Sequence, residues 1–404
     1  MKRRQFLHSS IAAAAAVSLP TSQALAAAIA AMSEVAGDVN AVTGNGAQIA
    51  LEQSALKELS ESLRGRLLLS GFEGYEAARS VLNPTIDKHP ALIIQPSGAA
   101  DIMNAVKFAR ERDMLLAVKC GGHSYSGKST CEGGMQIDLS TFRSARVDAE
   151  TRTAYVAGGS LLGELDHEAM AQGLVTTAGT VSHTGVGGLT LGGGFGRLAR
   201  RYGLALDNVT GVDIVTADGR LVHADANEHP DLFWGVRGGG GNFGIVTSFE
   251  FKLHPMNRTV IGGDVVFPLK ELPGVLKAYA DYAPVAPDDL YLDFAVMSQL
   301  GTQDGICLLH ACYSGPQNQA EKVLAPIYKA GTPIADGIKA VDYVAIQRAW
   351  DDTDPRSTGS YLKSGFVDEI PDQLVSTISQ NFKTFNERGT TMFFQHSGGG
   401  LNIS

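Results

Sequence analysis

The chain has 404 residues, a formal net charge of −9 and an apolar share of 44%. Its length points to about two domains. The acidic balance, without a basic stripe or basic–aromatic interleaving, excludes a nucleic-acid partner and speaks mainly to solubility.

The N-terminus opens on Lys2-Arg3-Arg4-Gln5-Phe6-Leu7, then an apolar run over 11–19 and the small residues Ala24-Leu25-Ala26. A basic start, a short apolar middle and a small-residue end make an export signal over 1–26. The run is too short to span a bilayer, and no later stretch is long enough to do so. Paired arginines before Phe-Leu resemble a twin-arginine signal; a general secretion signal or a cytosolic N-terminus are the other readings. The expected location is periplasmic or secreted.

Residues 27–85 are polar and lean helical, with 51–69 the clearest amphipathic run. A short buried strand is predicted over 90–95. Asp101 could cap a helix over 101–112 in which Ile102, Ala105, Val106 and Ala109 recur at helical spacing. A second strand over 114–118 runs into Lys119-Cys120-Gly121-Gly122-His123-Ser124. Strand, helix, strand and then a glycine turn is where α/β folds place ligands. Strands follow over 136–139 and 154–157, a helix over 161–172, and a hairpin of 211–217 and 220–224 around Asp218-Gly219. A helical turn over 232–236 and a strand over 245–253 complete this part, with a boundary near His254-Pro255. Beyond it, strands over 265–268, 291–296, 305–313 and 391–395 mix with helices over 319–329, 343–349 and 371–385. That mixture reads as an antiparallel sheet with helices on one face.

The 47 glycines exceed the usual share of about 7%. They gather in loops, where backbone comes close to something or takes dihedrals that other residues avoid. Cys307 and Cys312 sit at odd separation in one strand and face opposite sides. Cys120 and Cys131 could pair, but buried free thiols are the favoured reading. Tyr343 and Trp350 read as core.

Three ordered blocks, 119–127, 179–208 and 233–246, carry a family resemblance. The middle block contains Gly185-Val186-Gly187-Gly188-Leu189-Thr190-Leu191-Gly192-Gly193-Gly194-Phe195-Gly196. The dinucleotide fingerprint fails, because no acidic residue follows at the required distance in a strand–helix context. Instead, the region from about Leu82 to Pro255 resembles the FAD-binding (PCMH-type) domain of the vanillyl-alcohol-oxidase superfamily, and within it the berberine-bridge-enzyme-like oxidases. The resemblance implies an α+β fold with an FAD-binding domain of two α/β subdomains over 86–255. It also implies a substrate domain over 256–404, after the helical segment 27–85.

It further implies FAD bound covalently through His123. Val181 stands where many members carry a second, cysteine tether, so one covalent bond is expected; His183 reads as a structural histidine. Backbone at Gly121, Gly122, Ser124, Gly185, Gly187 and Gly188 would cradle the pyrophosphate, with Gly179 and Gly193 in the same glycine block. Asn242, Gly244 and Val246 resemble positions along the cofactor. Lys119 replaces the family's arginine and loses its planar fork. No metal is expected.

The implied activity is a hydride taken from a small organic substrate, an alcohol, sugar or cyclic amine, with the flavin reoxidised by oxygen or another acceptor. The proton acceptor should lie on the substrate domain's sheet, and Tyr361 and Lys363 are the candidates. Members of the family normally continue past a segment like 394–399. The resemblance therefore implies a substrate domain incomplete at its C-terminus, and the alternative function is an inactive flavin-binding remnant. Oxidase against dehydrogenase behaviour and the oligomeric state are left open.

Overall fold

The computed structural model describes residues 35–298, 304–351, 359–385 and 388–402; the expected export signal lies outside the described residues. Strands β1 (Val39–Val42) and β2 (Gln48–Leu51) form an antiparallel hairpin, followed by a helix over Gln53–Ser62. The amphipathic run thus ends well short of residue 69, and the segment expected to be helical holds strands as well. The helix stops because the buried Asp101 carboxylate accepts the amides of Arg64 and Gly65 at 3.0 and 2.9 Å, turning the chain into β3 (Arg66–Leu68). A short helix over Tyr75–Arg79 follows.

β4 (Leu92–Gln95), β5 (Leu116–Lys119) and β6 (Met135–Asp138) build a sheet in the order β3-β4-β6-β5. Its last two pairings are parallel. The crossover between β4 and β5 is the helix Ala99–Glu111, which buries Ile102, Ala105, Val106 and Ala109. Asp101 does not cap this helix, which starts two residues earlier; besides Arg64 and Gly65 it accepts the Ser97 amide at 2.8 Å. The turn after β5 sits at the carboxyl end of parallel strands, the usual ligand position in such sheets.

The second lobe is an antiparallel sheet. It contains β7 (Ala145–Asp148) and β8 (Thr153–Ala157), with β9 (Leu174–Val175) apart from it. β10 (Val209–Val215), β11 (Leu221–Asp225) and β12 (Ile245–Lys252) complete the order β11-β10-β12-β8-β7. Helices over Leu162–Ala171 and Pro230–Val236 cover its apolar face. β13 (His254–Pro255) pairs back onto β9, so the chain is still tied to this lobe where the boundary was expected.

The remaining strands are β14 (Thr259–Pro268), β15 (Leu290–Ser298), β16 (Gly305–Tyr313), β17 (Ala335–Asp336), β18 (Lys339–Asp342) and β19 (Thr391–Phe394). They form one antiparallel sheet in the order β17-β14-β16-β15-β19, with β18 also on β14. β14 is far longer than its apolar signature, because pairing on both sides carries it through Gly262-Gly263 despite glycine's weak strand preference. Helices over Leu272–Tyr282, Ala320–Tyr328 and Asp372–Asn381 pack on one face, over Phe267, Leu292, Phe294 and Leu309. The other face brings Tyr291, Cys312 and Val260 against Met170, Val175 and Leu198 of the second lobe. Cys307 belongs to the first of these clusters and Cys312 to the second, and all four cysteines are free.

Candidate functional site

The turn after β5 is nailed from below. Lys119, buried at its base, donates to the Ala78 carbonyl at 2.6 Å and lies 3.8 Å from the Asp138 carboxylate. Its ammonium therefore braces the turn from inside. The Gly122 carbonyl accepts the Leu82 amide at 2.8 Å. Gly122 itself takes a φ of +72°, a region open to glycine. The Ser124 hydroxyl accepts the Lys128 amide at 3.1 Å and closes the next turn. Asn83 Nδ2 donates to the Tyr125 carbonyl at 3.2 Å.

His123 projects from this turn, half-buried. Its Nε2 lies 2.7 Å from His183 Nδ1, and its Nδ1 lies 3.3 Å from Thr184 Oγ1. Both partners come from the second glycine block, whose Val181–Thr184 turn is closed by a 3.1 Å amide–carbonyl bond. The two blocks press together backbone to backbone: a Cβ on Gly121 would stand 2.4 Å from the Gly185 nitrogen. Gly187 is equally constrained, its Cβ position lying 2.7 Å from the Gly158 carbonyl oxygen. Cys120 fills the space between, and burial pushes its thiol pKa up, so it is an unreactive filler.

Not every glycine here is explained by packing. A Cβ on Gly188 would meet nothing within 4 Å. Among the described residues, no backbone carbonyl takes the amides of Gly122 or Ser124. Open amide donors beside an open glycine, at the carboxyl end of parallel strands, fit a pyrophosphate-bearing cofactor.

The other sequence-derived residues divide. Gly179 lies where the chain folds back on Gly196, and its carbonyl accepts from Gln347 at 3.2 Å. The Gly193 carbonyl accepts the Leu206 amide at 3.0 Å. Asn242 is exposed and donates to the Gly239 carbonyl at 2.7 Å. The Cβ position of Gly244 is 2.4 Å from the Val215 oxygen, and Val246 is buried in the core of the second lobe. Tyr361 and Lys363 are on an exposed loop, not on the sheet, with the Lys363 ammonium 5.9 Å from the Tyr361 ring centre. That loop is tied toward the His123 turn, because Asn83 Nδ2 also donates to the Ser360 carbonyl at 2.9 Å.

A polar layer that sequence reasoning missed lies between the second lobe and the antiparallel sheet. Arg197, only 2% exposed, donates through Nε to His310 Nε2 at 3.1 Å. Its Nη1 donates to the Thr180 carbonyl at 2.8 Å and to Gln347 Oε1 at 2.7 Å. His310 Nδ1 in turn lies 2.6 Å from Asp264. Gln347 Nε2 donates to Asp166 at 3.1 Å, and burial pushes that carboxyl up to about 7. Nearby, the Tyr291 hydroxyl donates to Asp293, which also accepts the His396 amide at 3.0 Å. Burial pushes Asp293 up to about 7 and His396 down to about 4. Trp350 stands over His310 at 4.9 Å between ring centres. The alternation in β15 and β16 puts Tyr291, Asp293, His310 and Cys312 on one face, and that was the available signal.

A parallel β-sheet lobe, an antiparallel lobe and glycine turns meeting at one histidine, with a further sheet laid over them, define a PCMH-type FAD-binding fold. The chain belongs to the FAD-linked oxidoreductases. A family model described as an FAD binding domain matches residues 90–225. An FAD-linked oxidoreductase of Dictyostelium discoideum is 32% identical over 349 residues, covering 85% of this chain and 75% of that protein. The (R)-6-hydroxynicotine oxidase of Paenarthrobacter nicotinovorans is 31% identical over 70% of this chain and 62% of its own length. Among solved structures, 6-hydroxy-D-nicotine oxidase from Arthrobacter nicotinovorans superposes with a TM-score of 0.69 at 29% identity, covering 74% of this chain and 66% of that one. The grass pollen allergen Phl p 4, with glucose dehydrogenase activity, gives 0.71 at 25% identity over 86% and 76%. The chain thus spans under two thirds of both nicotine oxidases.

Proposed function

We propose that this chain is an FAD-dependent oxidoreductase that oxidises a small organic substrate, with FAD attached covalently through His123 alone. The observation that carries this reading is the placement of His123, held by His183 and Thr184 where two glycine loops touch. Bound FAD would supply the hydride acceptor, and oxygen or another acceptor would regenerate it. The chain's own work is positional. The open amides of Gly122 and Ser124 and the bare Gly188 offer a seat for the pyrophosphate. Val181 supports a single tether, since it brings no nucleophile. Tyr361 and Lys363 stand as candidates to take the substrate's proton, supported by the Asn83 link between their loop and the His123 turn. Alcohols, sugars and cyclic amines are the substrate classes to test. The N-terminal sequence supports export by the twin-arginine route.

The test is acid precipitation of the wild type and His123→Ala, followed by flavin fluorescence of the pellet. A fluorescent wild-type pellet and a dark variant pellet are expected. Flavin found only in the wild-type supernatant would overturn the tether, and no flavin in either fraction would overturn the function.

A further inference from the structure

A cavity of about 490 Å³ has walls from the turn before β7, the helix Leu162–Ala171 and the end of the helix Tyr343–Gln347. Ser182 and His183 line it, whereas His123 and the glycines of the pyrophosphate seat do not. One ring nitrogen of His183 lies 2.7 Å from the His123 ring. A single imidazole thus separates the cavity from the proposed tether. His167 and Arg348 in the lining are exposed, so the cavity opens to solvent. Its volume falls within the range of about 300–1,000 Å³ usual for small-molecule sites.

The wall next to His183 is firmly built. The Asp351 carboxylate accepts the Ser182 amide at 3.1 Å and its hydroxyl at 2.6 Å, fixing the residue before His183. Glu164 accepts the Leu161 amide at 2.8 Å and stands 3.5 Å from Arg143, while Arg348 stands 3.6 Å from Asp351. These two ion pairs are long, and a guanidinium carries five N–H donors, so Arg143 and Arg348 keep donors for a further oxygen. Leu161 and Val344 add apolar surface.

We infer that this cavity is the docking site of the electron acceptor, a quinone, which draws electrons through the His183–His123 contact. A flat ring with two carbonyl oxygens suits apolar walls flanked by guanidinium donors. Those donors also favour the negative charge that the oxygens gain on reduction. The quinone accepts two electrons from the reduced cofactor and two protons from water, and its carbonyls become the hydroxyls of a quinol. The cofactor returns one proton to water as it is reoxidised. The assignment rests on the proposed flavoenzyme reading and names the acceptor that reading leaves open.

The test uses the holoprotein and duroquinone. Equilibrium dialysis against the oxidised protein should show saturable binding. Arg348→Ala, at an exposed position, should weaken it by about tenfold through loss of a charge-assisted bond. Val344→Trp should abolish it by filling the cavity. In stopped flow, dithionite-reduced Arg348→Ala should be reoxidised by duroquinone about tenfold more slowly at low quinone concentration, with reoxidation by oxygen unchanged. No saturable binding to the flavin-loaded wild type would overturn the inference, as would binding that neither variant weakens. Weakened binding with an unchanged rate of reoxidation by duroquinone would also overturn it, by taking the cavity off the electron path. Duroquinone binding to purified protein that carries no flavin would fell the acceptor role together with the proposed function, whereas a loaded protein that binds no quinone fells this assignment alone.

Discussion

Asp166→Asn is the substitution whose effect follows most directly from the structure. Asp166 is 2% exposed, on the helix Leu162–Ala171, and accepts from Gln347 Nε2. Asparagine keeps an acceptor oxygen for that bond and removes the charge. Burial raises the carboxyl from an ordinary 3.8 to about 7 in the folded protein. Between those values the unfolded chain releases a proton that the folded chain retains. Stability therefore falls as pH rises through this window, and the full penalty is present above it. At about 1.4 kcal/mol per pH unit, the shift from 3.8 to about 7 costs the ionised wild type about 4 kcal/mol at alkaline pH. The assay is thermal or denaturant unfolding of both proteins at about pH 5 and about pH 8.5. The variant should exceed the wild type by about 1–2 kcal/mol at about pH 5, where the unfolded carboxyl is already ionised, and by about 4 kcal/mol at about pH 8.5. Parallel pH profiles would refute the reasoning, since they would mean Asp166 titrates alike in both states.

Other expectations concern the site itself. Gly121→Ala drives a methyl to 2.4 Å from the Gly185 backbone, so the two turns must separate; reduced flavin content on purification, with a melting temperature several degrees lower, is the expected result. His183→Ala leaves His123 Nε2 without its 2.7 Å partner, and slower covalent incorporation of flavin, timed by acid precipitation, should follow. If Tyr361 accepts the substrate proton, Tyr361→Phe lowers the rate of flavin reduction by about 100-fold or more; an unchanged rate in anaerobic stopped flow would remove it from consideration. Phe267→Ala empties a fully buried site beneath the sheet and should cost about 3–5 kcal/mol in denaturant unfolding.

Local pattern made much of this molecule legible. Apolar runs flanking a helix, with glycines after the second run, mark β4, β5 and the His123 turn in the sequence. The same logic failed in residues 27–85. There the polar alternation of Val39–Val42 and Gln48–Leu51 is a weak strand signal, and Asp101, a distant residue, decides where the helix ends. The interdomain layer was invisible for a related reason. Arg197 and His310 are separated by 113 residues, and Arg197 and Gln347 by 150. An arginine after a glycine block reads as surface until a sheet is laid over it. Tyr361 and Lys363 show the converse: as proton-acceptor candidates they belong on the substrate domain's sheet, and the structure leaves them on an exposed loop.

The anchoring of the His123 turn has a practical consequence. The Ala78 carbonyl receives both Lys119 Nζ and Gln136 Nε2, Leu82 holds Gly122, and Asn83 holds Tyr125. The stretch around residues 78–83 is therefore the keel of the turn, not a removable preface to a flavin domain beginning at residue 86. Trimming the chain to that boundary would leave a buried ammonium beneath the turn without its acceptor. Cofactor defects in variants of this stretch would then arise at residues that hold the proposed seat from behind and form no part of it.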